Sequence, residues 1–188
     1  MKERYGELAK DILTGLVIAG AVAVAATSPY FLLNLAKQVL RNQKYFEKEW
    51  EKIKFKRALE KLKKNRLVIL REKEGKFTVE LTEKGKRKTK EIQLDGLKVE
   101  KPQTWDGKWR IVIFDIPNRF GRARDALRER LKDLGFYQFQ KSAWIIPYPC
   151  EKEVEFLAEF FDIYSYLNIV ETERISNDLR LKRHFRLL

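Results

Sequence analysis

The sequence predicts an α+β protein built as an N-terminal winged helix-turn-helix followed by a βαββαβ ferredoxin-like sandwich. Three observations predict it. A helical repeat over residues 49–67 runs into two short strand-like stretches around Gly75. From Trp109 onward, strand and helix patterns alternate in the order βαββαβ. Charge is also divided unevenly. Residues 1–101 hold 25 Lys and Arg against 14 Asp and Glu, a net of +11, while residues 102–188 hold 15 against 13, a net of +2.

Composition narrows the function classes. Of 188 residues, 44% are apolar, which suffices for packed cores and argues against general disorder. One cysteine, Cys150, excludes an internal disulfide and a cysteine-based zinc site. One histidine, His184, excludes a histidine cluster. No cofactor is expected, and a reducing cytoplasmic setting fits. The basic residues differ in kind as well as number: 19 of 24 lysines precede residue 102, and 10 of 16 arginines follow it. A lysine-rich first module points to a polyanionic partner, double-stranded DNA.

The first element is the uncharged stretch Ile12–Thr27. At 16 residues it is shorter than the roughly 20 a membrane span needs. It has no clear cleavage region for a secretory signal. It reads as an apolar first helix buried on nearly all sides, by its own domain or a second subunit. Ser28-Pro29 then supplies a cap and first-turn proline for a helix over Ser28–Leu40.

In the next helix, Phe55, Ala58, Leu59 and Leu62 share one face. Lys54, Arg57, Lys61 and Lys64 share another, within about 80° of arc at 100° per residue. The strand-like runs around Gly75 form a hairpin, and Thr82 can cap a short helix after it. Helices followed by a basic hairpin give the winged-helix order, in which the third helix enters the major groove. Arg57 is the candidate for reading a guanine edge. Lys54, Lys61, Lys64, Arg66 and the wing residue Lys76 are candidates for DNA phosphates. This module is assigned residues 1–94, and Gly96, Pro102 and Gly107 mark a linker over 95–107.

Residues 108–174 form the second module. Both faces of the strand around Trp109–Phe114 are largely apolar, so it should be central and covered on both sides. Ala123, Ala126, Leu127, Leu131 and Leu134 make a helical stripe that ends at Gly135, a C-terminal cap. Two helices cover one sheet face, and the second face calls for a subunit, hence a homodimer. The basic segment 175–188 is expected to pack as an amphipathic element on the sandwich or its partner.

Two stretches carry a family resemblance. Phe114-Asp115-Ile116-Pro117, the arginine-bearing helix from Arg122 to Arg130, Gly135-Phe136 and the later Ser142-Ala143-Trp144-Ile145-Ile146-Pro147 resemble the central domain of PaaX-like transcriptional repressors. That domain is related to the small endonuclease subunit of the CRISPR adaptation complex. Residues 55–86, ending in Leu81-Thr82-Glu83-Lys84-Gly85-Lys86, resemble the second half of many bacterial winged-helix regulators. The resemblance implies a repressor. PaaX-like repressors extend further at the C-terminus than this sequence, so the acyl-CoA effector they suggest is not carried over and the effector stays unassigned.

Asp115 divides two function classes. In a metal-dependent nuclease, or a CRISPR-adaptation-type subunit with an accessory winged helix, Asp115 would be the catalytic, metal-binding residue, paired with its copy across a dimer. In a regulator it shapes the turn after the strand, for which Asp-Ile-Pro-Asn is suited. A nuclease needs clustered carboxylates, and Asp115 has no partner nearby in sequence. Ser142, Tyr137 and His184 form no nucleophile–base set. The reading adopted is a non-enzymatic regulator with no metal.

Overall fold

The uncharged run Ile12–Thr27 does not stay helical. Helix α1 (Glu7–Ala19) stops at Gly20, whose φ of +69° is open to glycine and strained for other residues. Val22–Ala25 then forms strand β1. The expected single helix is thus corrected to a helix and a strand. Alanine and valine tolerate both forms, and a partner distant in sequence decides: β1 pairs antiparallel with β3 (Lys76–Leu81), Val22 opposite Val79 and Ala25 opposite Lys76. Within the single chain α1 buries Ile12, Leu13 and Leu16, while Val17 and Ile18 are exposed.

The computed structural model describes residues 6–20, 22–25, 49–73 and 76–187. The helix expected over Ser28–Leu40 and the turn at Gly75 lie outside them. The chain divides into two units, Met1–Asp95 and Gly96–Leu188. No described helix is long and apolar enough to cross a membrane.

In the first unit, helix α2 (Glu49–Lys64) leads into strand β2 (Val68–Lys73), which pairs antiparallel with β3. The sheet order is β1-β3-β2, and helix α3 (Glu83–Gly96) follows. The core joins Ala9, Ile12, Leu13 and Leu16 of α1 to Phe55, Leu59 and Leu62 of α2 and to Leu67, Val68 and Val79. Burial of each large side chain there contributes about 1.5–3 kcal/mol before the entropy of ordering it is counted.

A tight junction sets how α2 leaves for the hairpin. Arg66 adopts a left-handed φ of +55°. The Arg66 and Leu67 amides donate back to the Lys63 and Leu62 carbonyls, both at 2.9 Å, closing the helix end. The Leu67 carbonyl accepts from the Thr82 amide at 3.0 Å. Thr82 Oγ1 donates to the Arg66 carbonyl at 2.7 Å and accepts from the Gly85 amide at 2.9 Å. Thr82 therefore caps α3 and ties its start to the end of α2. Gly85 lies so close that a Cβ there would sit 2.0 Å from the Leu67 carbonyl oxygen.

The second unit runs β4 (Trp109–Phe114), α4 (Gly121–Asp133), β5 (Tyr137–Gln140), β6 (Ala143–Ile146), α5 (Glu151–Phe160), β7 (Leu167–Thr172) and α6 (Leu179–Phe185). The antiparallel sheet has order β5-β6-β4-β7, a ferredoxin-like βαββαβ arrangement. Gly135, at φ +87°, follows α4. Its amide and that of Phe136 donate back to the Lys132 and Leu131 carbonyls at 3.0 Å each, which explains the Gly-Phe opening of the next strand.

The second sheet face is covered in part by the chain itself. Leu181 of α6 packs on Trp109 and Ile145, with Trp105, Ile111, Tyr137, Ile175, Phe185 and Leu187 around them. The segment expected to pack as an amphipathic element does so as α6, which reduces the need for a subunit there. What stays open is the corner of Ile113 and Val170, 43% and 42% exposed.

A buried arginine fastens the entry to this unit. Arg110, 4% exposed, forms a bidentate pair with Asp106 at 2.9 and 2.6 Å and reaches Glu171 at 3.1 Å. Lys108 holds the other Glu171 oxygen at 2.7 Å. The Arg110 hydrogen bond holds the Asp106 carboxyl below its usual range, and Lys108 does the same for Glu171. Both contributions are present above the ordinary carboxylate pKa of about 4 and fade as pH falls through the lowered folded values. Arg110→Met should destabilise the unit by about 2 kcal/mol, below the cost of stranding a fully buried charge because the carboxylates it leaves are partly exposed. It should also flatten the loss of stability below pH ~5. Urea unfolding at pH 7 and at pH 3.5 checks both effects.

Candidate nucleic-acid interface

Helix α2 carries the cationic candidates because its heptad-like spacing commits the opposite stripe to the core. Phe55 and Leu62 are fully buried and Leu59 nearly so, which turns Lys54, Arg57, Lys61 and Lys64 outward, all exposed. Their spacing of i, i+3, i+7 and i+10 stacks them in one row along roughly 15 Å of helix axis at 1.5 Å per residue. Lys56 and Lys63 are exposed as well, on the other flank of the core stripe. Ile53, 49% exposed, lies beside the cationic row.

The remaining candidates fall elsewhere. Arg66 is exposed but sits in the left-handed turn after α2, outside the row. Lys76 opens β3 opposite Ala25 and Lys73, and its side chain lies outside the described residues. Arg71, exposed on β2, is a hairpin cation that the sequence reading left out. Its place in the strand-like run before Gly75 was the available signal. Three cations of α3 are tied down locally: Lys86 to Glu83 at 2.8 Å, Lys88 to Glu91 at 2.7 Å, and Lys84 to the Asn65 carbonyl at 3.1 Å.

Asp115 is exposed at the end of β4, and its backbone amide donates to the Tyr166 carbonyl at 2.9 Å. No described residue hydrogen-bonds its carboxylate. Two arginines near it in sequence point elsewhere: Arg110 to Asp106 and Glu171, and Arg119 to the Tyr166 hydroxyl at 3.2 Å. The described residues contain no group of three His, Cys, Asp or Glu able to hold a metal. Cys150 is fully buried, and burial pushes its thiol up to about 12, so it stays protonated and is a poor nucleophile.

The sequence comparisons bear on the second unit. No curated protein matches the chain. Residues 102–182 match the family described as PaaX protein central Cas2-like domain.

Proposed function

We propose that this chain is a DNA-binding transcriptional repressor that acts as a homodimer, with Met1–Asp95 as a winged helix. The observation that carries the reading is the outward row of Lys54, Arg57, Lys61 and Lys64 on the helix immediately before the hairpin. A three-stranded antiparallel sheet of order β1-β3-β2, with α2 leading into its hairpin, is the arrangement in which a winged helix sets its recognition helix into the major groove. On this reading Lys54, Lys61 and Lys64 neutralise phosphates and Arg57 reaches a base edge. Arg66 and Lys76 add phosphate contacts from the turn and the wing. The match of the second unit to that family supports a regulator. The open apolar corner at Ile113 and Val170 suits a second copy.

The test is to incubate the full chain with duplex DNA in Mg²⁺ over a range of salt, following both binding and cleavage. Binding should weaken steeply as salt rises, and the DNA should remain intact. Cleavage that disappears in Asp115→Asn would instead assign the chain to the nucleases.

A further inference from the structure

The net positive charge of the second unit is confined to its last 15 residues. Residues 174–188 hold five Lys and Arg against one Asp, a net of +4, while residues 96–173 hold 12 against 13, a net of −1. This segment is folded onto the sheet as α6. Leu181 is 3% exposed on Trp109 and Ile145, and the Phe185 ring lies 6.1 Å from that of Trp109. With Leu181 and Phe185 facing inward, Arg180 and Arg183 face solvent, about 60° apart at 100° per residue. Arg186 follows in a left-handed turn, also exposed.

These arginines differ from Arg124, Arg128 and Arg130 on α4. There Arg128 pairs with Asp125 at 3.1 Å, Arg124 with the same carboxylate at 3.6 Å, and Arg130 with Asp133 at 3.8 Å. No described carboxylate pairs with Arg180, Arg183 or Arg186. The Arg180 guanidinium instead lies over the Tyr137 ring at 5.7 Å, a contact that uses its flat face and leaves its N–H donors at the edge. The aspartate within α6's reach, Asp178, is taken by Lys182 at 2.9 Å. An anchored helix with unneutralised guanidinium groups loses little side-chain and backbone freedom on meeting a phosphate backbone, so its charge counts in full.

We infer that the outer face of α6, through Arg180, Arg183 and Arg186, is a second phosphate-contacting surface for duplex DNA, separate from the α2 row. The inference rests on the DNA-binding reading for the identity of the ligand alone. The test measures binding of full-length protein to a duplex of random sequence across salt, for wild type and for Arg180→Gln/Arg183→Gln/Arg186→Gln. Each lost phosphate contact lowers the salt slope by about 0.9, so the triple variant should lose about 2 to 3 and bind at least tenfold more weakly at ~0.15 M salt. The corresponding triple Arg→Lys variant should keep most of the slope, which separates charge from damage to the fold. A slope reduced by less than about 1, or a Lys variant as weak as the Gln variant, overturns the inference. The same arginine substitutions are then placed in a chain whose α2 row is neutralised. Loss of slope from α6 but not from α2 would refute the α2 reading and leave this one standing. Loss from α2 alone would do the reverse, and a wild-type chain with no duplex affinity would refute both.

Discussion

Gly85→Ala should cost the first unit about 3 kcal/mol, lowering its melting temperature by roughly 15 °C. A Cβ at this position would lie 2.0 Å from the Leu67 carbonyl oxygen, a backbone atom that already accepts the Thr82 amide. Neither atom can rotate away as a long side chain would. Either α3 must back off, loosening the Thr82 cap, or the turn holding Arg66 and Leu67 must move. Both responses disturb the junction that aims α2 toward the hairpin, so DNA affinity should fall along with stability. Urea unfolding of the full chain, with Gly96→Ala as comparison, checks this. Gly96 has nothing within 4 Å of an added Cβ, and its substitution should change stability by less than about 0.5 kcal/mol.

Neutralising the α2 row, by converting Lys54, Arg57, Lys61 and Lys64 to Gln, should weaken duplex binding about a thousandfold at ~0.15 M salt, roughly 4 kcal/mol. Each phosphate contact that releases a counterion contributes about five- to sixfold at that salt, so the three lysines give roughly 150-fold together, and loss of the Arg57 base contact adds about a further five- to tenfold. The salt slope should fall by about 3. Stability should change little, because all four side chains are exposed and none belongs to the core. Converting Lys56 and Lys63, on the opposite flank, should reduce affinity less than about tenfold. Equal losses from the two sets would mean that net charge, and not a defined face, drives binding.

Local patterns were legible where local physics decides. The 3.6-residue stripe of Phe55, Leu59 and Leu62 fixed which side of α2 is buried. Gly135 marked the end of α4, and Thr82 marked the start of α3. The sequence misled at residues 20–25, where Val22–Ala25 takes its strand form from pairing with β3, more than 50 residues away. It called for a subunit on the second sheet face, which the chain's own α6 covers in part. Leu181 and Phe185 are ordinary leucine and phenylalanine in a basic segment, and only the fold brings them onto Trp109. Asp115 is a similar case. Its residue type allowed a metal ligand, and deciding requires knowing what surrounds it, which the sequence order does not give. The Arg110 knot was hidden for the same reason, since an arginine at a central strand position is costly until Asp106 and Glu171 are seen beside it.

The central claim is that duplex DNA lies against the outward row of α2. It is tested most directly by chemical acetylation of lysines in the full-length protein, with and without duplex DNA, read out residue by residue by mass spectrometry. Lys54, Lys61 and Lys64 should be shielded in the complex, while Lys10 on α1 and Lys152 on α5 should react at unchanged rates. Shielding that misses the α2 lysines while the DNA is bound would contradict the account.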